Sequence, residues 1–301
     1  MYQPRRTPRT RFIALRGLQY HLRTWDGSAP GKPLVVLMHG WMDVGASFQF
    51  MVDAGLADRT MTALDWRGFG LSSPTASDNY WFPDYVADLD FLLDALSPDQ
   101  QVDLVGHSMG GNIAMLYAGV RPARVRRLVN LEGFGMKAVP PSEAPARYAQ
   151  WIDELKAHER GDLGLRPYES LDAVAARLMK TNPRLPHAKA LWLAQHWARQ
   201  EPDGRWTLLG DPRHKLVNPQ IYRVEEVLEV WKRIQAPMLS VRAGDDTLGR
   251  KVGAAYTYDQ YLDRLKVLPA APTHATVPDS GHMVHHDQPE VLARLIEQFL
   301  A

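Results

Sequence analysis

The sequence predicts an α/β protein whose core is a mostly parallel β-sheet covered by helices. Segments with strand and helix patterns alternate along the first half of the chain, as a parallel, helix-covered sheet requires. The run from Pro33 to Met38 is continuously apolar, which is typical of a central strand buried on both faces. Near Met136 the alternation gives way to proline-punctuated helical segments, and it resumes at Pro237. A chain of 301 residues can form one α/β domain with an insertion or two closely associated lobes.

The predicted elements define a core and an insertion. Apolar runs and alternating patterns predict strands at 11–16, 18–25, 33–38, 60–65, 101–105, 127–131, 237–241 and 273–277. Helical spacing of apolar residues predicts helices at 47–57, 81–96, 111–122, 142–158, 171–180, 186–200, 254–265 and 289–300. We therefore expect a core domain of residues 1–135 and 236–301, with residues 136–235 inserted as an all-helical cap over the strand ends.

The composition limits the kinds of partner. Lys and Arg number 35 and Asp and Glu 34, so a formal net charge of +1 gives no overall attraction to nucleic acid or anionic lipid, and a small-molecule substrate fits better. No apolar run is long enough to span a bilayer, and the absence of cysteine excludes disulfides and thiolate chemistry. The basic segment 1–11 is expected to be a solvated arm, with a nucleic-acid-binding tail as the alternative. A cytoplasmic location is the simplest expectation.

A serine lies at a predicted sharp turn between a strand and a helix. The segment Gly106-His107-Ser108-Met109-Gly110 follows the strand 101–105 and precedes an apolar helical stretch. A G-x-S-x-G turn of this kind strains the backbone and lifts the serine hydroxyl above the sheet, with the glycines avoiding collisions with neighbouring backbone. The alternative is a glycine-rich turn whose serine only caps the helix. The flanking strand and helix patterns favour Ser108 as a nucleophile.

A serine nucleophile needs a base, and His282 is the predicted one. It lies between the last predicted strand and the last predicted helix, and Gly281 gives its loop conformational freedom. His285 and His286 are nearer the terminal helix and are expected to be supporting or surface residues. Three histidines at this spacing could ligate a metal, but no paired carboxylate motif accompanies them, so no metal site is expected.

The residue that orients the base has more than one candidate. Asp245 and Asp246 follow the strand 237–241, and Glu132 follows the strand 127–131. All three can lie at the edge of the sheet where the nucleophile projects, and at least one of them is expected to be solvated in a turn. The chain order serine, acid, histidine holds for either assignment.

Acyl transfer also needs hydrogen-bond donors for the oxygen that becomes negatively charged. One donor comes from the residue after the nucleophile, here the Met109 N–H, and the other from a loop after an early strand. His39, Gly40 and Trp41 form that loop, and the Trp41 N–H is the predicted second donor. The Trp41 ring is an alternative pocket-lining group, and His39 is expected to be structural.

Taken together, these motifs resemble the cap-bearing branch of the α/β-hydrolase superfamily over nearly the whole chain. The matching stretches are His39-Gly40-Trp41, the turn from Asp65 to Ser72, Gly106-His107-Ser108-Met109-Gly110, the segment 237–248, and Gly281-His282 followed by Gln288-Pro289-Glu290. The resemblance implies an α/β-hydrolase fold with an inserted helical cap, no cofactor, His282 as base, and a structural role for Asp65 and Arg67.

The resemblance also ranks the candidate acids. Family members commonly carry Gly-x-Asp-Asp after a strand, with the second Asp catalytic, and Ala243-Gly244-Asp245-Asp246 aligns with it except for Ala243. This implies Asp246 as the acid. Glu132 is the alternative, because it occupies the place where haloalkane dehalogenases carry a glutamate. Dehalogenases and epoxide hydrolases use an aspartate nucleophile, so Ser108 disfavours both activities.

The sequence therefore predicts a cofactor-free, carboxylesterase-like serine hydrolase that cleaves an ester, thioester or lactone of a small, largely apolar substrate. A carbon–carbon bond hydrolase or a perhydrolase with the same triad is the alternative, because these activities differ in pocket shape and water access. A hydrolase-like receptor without catalysis is a third, less favoured possibility. The sequence does not determine the oligomeric state.

Overall fold

The computed structural model describes residues 2–301, with positions 251, 252 and 254 described by their backbone alone. Eight strands form one sheet with the order β1-β2-β4-β3-β5-β6-β9-β10, and β7 and β8 form a separate two-stranded pair. The strands are β1 (Arg9–Leu15), β2 (Leu18–Trp25), β3 (Val35–Met38), β4 (Met61–Leu64), β5 (Val102–His107), β6 (Val125–Leu131), β7 (Ala198–Gln200), β8 (Trp206–Leu208), β9 (Met238–Ala243) and β10 (Thr273–Val277).

The strand directions bring the candidate site residues to one edge of the sheet. Neighbouring strands from β4 through β3, β5, β6 and β9 to β10 are parallel, and β2 is antiparallel to both β1 and β4. The carboxyl ends of β3, β5, β6 and β9 therefore meet at one edge. The loops that follow these strands contain Trp41, Ser108, Glu132 and Asp246.

Helices cover both faces of the sheet. They are α1 (Gln49–Ala54), α2 (Phe82–Leu96), α3 (Met109–Val120), α4 (Ala144–Glu159), α5 (Leu171–Thr181), α6 (His187–Trp197), α7 (Val224–Trp231), α8 (Thr247–Val252), α9 (Tyr258–Leu265), α10 (Val284–Asp287) and α11 (Pro289–Leu300). Along β3, Val36 and Met38 join an apolar cluster with α2, α3, α7 and α9, whereas Val35 and Leu37 join a second cluster with α1 and α11. This alternation explains why the strand is continuously apolar, since both of its faces are buried.

The segment between β6 and β9 contains strands as well as helices, so the expectation of an all-helical insertion is wrong. β7 and β8 pair antiparallel, and Tyr168 bridges to Trp206 beside them. The insertion is bonded to the core where the Asp211 N–H donates to the Gly68 carbonyl at 2.8 Å. The fold is otherwise the predicted one, an α/β-hydrolase architecture with a mostly parallel sheet flanked by helices.

The last helix of the insertion packs on the core rather than over the strand ends. A Cβ on Gly119 of α3 would lie 2.1 Å from the Val230 carbonyl oxygen of α7, so only glycine permits this approach. Trp231 of the same helix is buried in the cluster that contains α3. The proposed division at residues 135 and 236 stays a prediction, and α7, which precedes its C-terminal boundary, packs on α3 of the core.

Element boundaries differ from the sequence expectations where local turns intervene. The helix predicted over 47–57 begins as a 3-10 turn at Gly45–Phe48 and continues as α1. The helix predicted over 254–265 begins only at Tyr258, because Thr257 and Gln260 form a reciprocal capping box there. The terminal helix begins at Pro289 and ends at Leu300, as predicted.

No helix among the described residues is long and apolar enough to cross a bilayer.

Candidate active site

The serine lies on a strained turn between β5 and α3. Ser108 has a φ of 53° and a ψ of −112°, a backbone region that non-glycine residues rarely occupy. Close packing on both sides fixes this turn: a Cβ on Gly106 would lie 2.4 Å from the Gly110 carbonyl oxygen, and one on Gly110 would lie 2.2 Å from the Met38 carbonyl oxygen. The two glycines of the motif are therefore required by strand-to-helix contact, as the sequence predicts.

Three polar side chains from distant parts of the chain meet at this turn. The His282 Nε2 lies 3.0 Å from the Ser108 Oγ, and the His282 Nδ1 lies 3.2 Å from the Glu132 Oε2. The imidazole is 36% exposed, whereas the Glu132 side chain is 1% exposed. A hydroxyl, an imidazole and a buried carboxylate thus form one continuous hydrogen-bonded line that is open to solvent at the imidazole.

Glu132 is held by contacts that leave one of its oxygens facing the imidazole. It follows β6 at a φ of 57°, and its backbone N–H donates to the Val241 carbonyl at 2.9 Å. The Oε1 accepts the Ala243 N–H at 2.6 Å, and the Oε2 accepts the Thr247 hydroxyl. Donors from the turn after β9 therefore orient a carboxylate that comes from β6.

The structure does not bring Asp246 to the imidazole, so the expectation that it orients His282 is wrong. Its Oδ1 accepts the Gly249 N–H at 2.9 Å, and Asp246 is the N-cap residue of α8. Asp245 is also engaged elsewhere, since it pairs with Arg184 at 2.9 Å and with Arg250 at 2.6 Å. The hydrogen bond from Arg250 and then that from Arg184 lower the pKa of the Asp245 carboxyl.

The loop of His282 is fixed by a residue that sequence reasoning missed. The His107 Nε2–H donates to the backbone carbonyl of His282, with the two atoms 2.7 Å apart. The two rings also lie against each other, with centroids 4.8 Å apart. His107 occupies the second position of the G-x-S-x-G turn, and that adjacency to Ser108 was the available signal.

His285 and His286 are buried, so the expectation that they could be surface residues is wrong. A supporting role is the alternative that remains. Both belong to α10, with 0% and 4% of their surface exposed. Burial lowers the pKa of His286 to about 3 and also lowers the pKa of His285. Both rings are therefore neutral near pH 7. His285 stacks on Phe48 and lies against His107, with ring centroids 4.5 Å apart in the second pair.

The residues predicted to supply the oxyanion donors lie in two segments next to the serine, the loop after β3 and the start of α3. A Cβ on Gly40 would lie 3.2 Å from the Ser108 Cβ, so the loop after β3 contacts the nucleophile directly. Trp41 follows in that loop, and its indole Nε1–H donates to the His214 carbonyl at 3.3 Å. Met109 is the first residue of α3, and N–H groups in a first helical turn have no partner within the helix. The roles of the Trp41 and Met109 amides stay predictions.

His39 makes two backbone hydrogen bonds that fix its tautomer. Its Nε2 accepts the Trp66 N–H at 2.9 Å, so its Nδ1 carries the proton and donates to the Gly40 carbonyl at 2.7 Å. Burial lowers the pKa of His39 to about 4. The residue holds the loop that carries Trp41.

Asp65 and Arg67 make similarly internal contacts. The Asp65 carboxylate accepts from His21 and from the Gly45 N–H, and Arg67 forms a buried ion pair with Asp88.

A long groove of about 1700 Å³ begins beside the serine. Most of the exposed large apolar side chains of the described residues line it: Trp41, Phe91, Val120, Met136 and Tyr148. Met109 also lines it, whereas Ser108 and His282 do not, so the groove leads up to the hydroxyl rather than enclosing it. Ligand pockets commonly measure about 300–1,000 Å³, which makes this groove large enough for an extended molecule.

One cluster among the described residues has the composition of a metal site. Asp43, His107 and His285 each offer a donor atom, and these atoms lie within 4.8 Å of one another. Burial raises the pKa of the Asp43 carboxyl to about 7, although hydrogen bonds from Ser47 and the Val44 N–H oppose the shift.

A serine on a strained strand-to-helix turn, bonded through an imidazole to a buried carboxylate, matches the turn and the triad geometry described for α/β-hydrolases. A family model described as the alpha/beta hydrolase fold matches residues 33–289, and the chain belongs to this family. Together with the relatives described next, this match identifies it as a hydrolase of the α/β-hydrolase superfamily.

Two relatives and one solved structure match over most of their length. The chain is 27% identical over 280 residues to a serine hydrolase-like protein of Danio rerio, covering 91% of this chain and 83% of the relative. It is 28% identical over 269 residues to a 2-(acetamidomethylene)succinate hydrolase of Mesorhizobium japonicum, covering 89% and 88%. The thioesterase domain from the curacin biosynthetic pathway superposes with a TM-score of 0.82 at 24% identity, covering 97% of this chain and 99% of that one, which supports the fold.

Proposed function

We propose that this protein is a serine hydrolase that cleaves an ester-type bond through an acyl-enzyme on Ser108. The observation that carries the proposal is the hydrogen-bonded line from Ser108 to His282 at 3.0 Å and on to Glu132 at 3.2 Å. A hydroxyl is a weak nucleophile until a base removes its proton, and an imidazole needs a carboxylate to hold its tautomer and stabilise its cation. Each of these requirements has one side chain in the correct position.

The proposed reaction has two stages, acylation of Ser108 and hydrolysis of the acyl-enzyme, and His282 transfers the proton in each. The Ser108 Oγ attacks the acyl carbon while His282 Nε2 takes the hydroxyl proton, and the resulting imidazolium donates that proton to the leaving alcohol or thiol. Water then enters, gives a proton to His282 and attacks the acyl carbon; the acid leaves as the bond to Oγ breaks, and the imidazolium returns its proton to Oγ, which restores Ser108. Glu132 accepts the Nδ1–H throughout and remains ionised.

The Trp41 and Met109 amides are the proposed donors for the tetrahedral oxyanion. Gly40 brings the loop that carries Trp41 into contact with Ser108, and Met109 follows the serine directly. Donors of this kind act because they are already aimed at the position where negative charge develops. The indole bond to the His214 carbonyl keeps the Trp41 loop in place.

We assign the apolar groove to the acyl part of the substrate. It begins at the two oxyanion residues and is lined by apolar side chains that are otherwise exposed to water. Its volume suits an extended acyl chain, and the relative named as a serine hydrolase-like protein, 27% identical to this chain, supports a hydrolytic reaction without naming a substrate.

The test of the function uses a fluorophosphonate probe and an ester panel. Wild-type protein should be labelled at Ser108 and should hydrolyse p-nitrophenyl esters, and Ser108→Ala should lose labelling and on the order of a million-fold of kcat. Labelling or turnover that survives in Ser108→Ala contradicts the proposal. A panel that also contains vinylogous diketones assigns the protein to carbon–carbon hydrolysis if those substrates turn over faster than the esters.

The assignment of the groove has its own test. Met136 lines the groove and is 45% exposed, whereas Leu71 is 47% exposed and lies outside it. Met136→Asp should lower kcat/KM for dodecanoyl esters by about tenfold and leave acetyl esters unchanged, because burying an acyl chain beside a carboxylate is unfavourable. Leu71→Asp is the matched control and should change neither. Equal effects of the two variants would show that the groove does not hold the acyl chain.

A further inference from the structure

We propose that Asp43, His107 and His285 bind one divalent transition-metal ion behind the catalytic base, and that the bound ion inhibits hydrolysis. Two imidazoles and one carboxylate are a donor set that zinc, cobalt and nickel accept readily. The three residues come from the loop after β3, from the turn before Ser108, and from α10. None of them belongs to the proposed triad.

The cluster contains buried polar atoms that make no hydrogen bond. The Asp43 Oδ2 and both ring nitrogens of His285 are buried and make no hydrogen bond. Asp43 is 4% exposed and His285 is 0% exposed. Buried polar groups are nearly always bonded, so the Asp43 Oδ2 and one ring nitrogen of His285 call for a common partner. The indole N–H of Trp197 also faces the Asp43 carboxyl and lowers its pKa, against the larger effect of burial.

The distances between these atoms suit a bound ion better than a hydrogen bond. The His285 Nε2 and the Asp43 Oδ2 are 4.0 Å apart, which is too long for a hydrogen bond. Zinc donors lie about 2.1 Å from the ion, which places tetrahedral neighbours roughly 3.4 Å apart, so a pair at 4.0 Å needs to close by about 0.6 Å. The third donor lies within 4.8 Å of the other two. A small inward movement of side chains therefore completes the site.

His107 is oriented by a hydrogen bond to the loop of the predicted base. Its Nε2–H donates to the His282 carbonyl, so in the neutral ring the Nδ1 carries the lone pair. Histidines that bind metals usually donate their other ring N–H to a carbonyl or carboxylate in this way. The Asp43 Oδ1 is similarly fixed, because it accepts the Val44 N–H at 2.8 Å and the Ser47 hydroxyl.

The same hydrogen bond links the cluster to catalysis. A metal that draws His107 inward pulls on the carbonyl of His282, whose imidazole must stay 3.0 Å from the Ser108 hydroxyl. His107 also directly precedes Ser108 in the strained turn. The inhibition rests on the proposed hydrolase function, whereas the binding does not.

Metal binding is tested first, on the full-length protein and without substrate. Zn²⁺ titrated calorimetrically should bind with one ion per chain, and Co²⁺ should give the visible absorption of a low-coordinate nitrogen and oxygen site. Asp43→Asn and His285→Phe should each weaken binding at least tenfold. His187→Ala is the matched control, because His187 is an exposed histidine 3.3 Å from a carboxylate, and it should bind like the wild type.

A further variant separates this site from the triad. His282→Ala should retain the Zn²⁺ stoichiometry and the Co²⁺ spectrum. The proposal is overturned if His282→Ala loses the Zn²⁺ stoichiometry and the Co²⁺ spectrum. It is also overturned if Asp43→Asn keeps both at the wild-type level. If the Asp43 and His285 variants do not fold, the Co²⁺ spectra of the wild type and of His282→Ala test the site instead. Both proteins should show the absorption, and its absence in the wild type overturns the proposal.

Inhibition is tested separately on an ester that the wild type hydrolyses. Zn²⁺ should inhibit the wild type and His187→Ala equally, and at least tenfold more Zn²⁺ should be needed to inhibit Asp43→Asn. Equal inhibition of wild type and Asp43→Asn shows that the ion acts elsewhere and overturns the inhibitory role. If no ester is hydrolysed, the proposed function fails while the binding result stands.

Discussion

Two acidic turns at the same edge of the sheet have opposite environments. The turn after β6 carries Glu132, whose side chain is 1% exposed and accepts from Ala243, Thr247 and His282. The turn after β9 carries Asp246, which caps α8 through the Gly249 N–H. The two strands are parallel neighbours, so both turns begin at the same edge of the sheet.

A position at this edge of the sheet is therefore not enough to identify the carboxylate that contacts the base. The turn after β9 supplies backbone and hydroxyl donors, from Ala243 and Thr247, to the carboxylate of the turn after β6. The longer glutamate side chain reaches across to those donors and still presents an oxygen to His282. The Asp246 side chain is one methylene shorter, and its carboxylate caps the start of α8 by accepting the Gly249 N–H.

The largest expected effect on kcat comes from replacing Glu132, and replacing Asp246 in the same way is the matched comparison. Glu132→Gln should lower kcat about ten-thousandfold, because an amide neither stabilises the imidazolium nor selects the tautomer that accepts the serine proton. Asp246→Asn should leave kcat within about twofold of the wild type, because asparagine also caps helices well. Steady-state kinetics with one ester measures both.

The reverse pattern, with Asp246→Asn inactive and Glu132→Gln active, would make Asp246 the acid and refute the comparison. The double variant Glu132→Gln with Asp246→Asn gives a second test. Its kcat should be no lower than that of Glu132→Gln alone, because the His282 Nδ1 contacts Glu132 and the Asp246 carboxylate caps α8.

A smaller effect is expected at the hydroxyl that orients Glu132. Thr247→Val should lower kcat by about tenfold, because a hydrogen bond to a charged carboxylate is lost while the side-chain shape is kept. Thr247→Ser, which retains the hydroxyl, is the control and should restore most of the rate. If serine and valine at this position behave alike in the same assay, the hydroxyl does not position Glu132.

The smallest effect is on stability at the other turn. Asp246→Ala should lower the free energy of unfolding by about 1 kcal/mol, because the N-cap of α8 loses its side-chain acceptor. Denaturant unfolding followed by circular dichroism measures this change, with Asp246→Asn as the conservative control. A loss in Asp246→Asn equal to that in Asp246→Ala would indicate that the charge, not the cap, matters.

The fold was largely predictable because its signals are local. The continuously apolar β3, the glycines around Ser108 and the amphipathic α11 each predict their own conformation from adjacent residues. The insertion was less predictable, since β7 and β8 are three residues each and depend on pairing with one another. The start of α9 was missed by a few residues because a capping box overrides the apolar pattern.

Some residues of the candidate site could be predicted from local motifs, and others depend on contacts with distant parts of the chain. Ser108 and His282 were found from short motifs and the structure brings them together. Glu132 was named only as the alternative, because its partners Ala243 and Thr247 lie more than a hundred residues along the chain. The burial of His285 and His286 was not anticipated, since a polar residue in a short segment predicts exposure unless its tertiary neighbours are known.

The order of residues is enough to predict the parallel sheet, the strained serine turn and the histidine loop, because each depends on the backbone preferences and apolar spacing of consecutive residues. The folded chain was needed to identify the carboxylate that contacts the imidazole and the histidine that holds its loop. It was also needed to show that Asp43 and His285 come together away from water. Those outcomes depend on distances between atoms that adjacent strands bring together, and such distances leave no pattern in the order of residues along one strand.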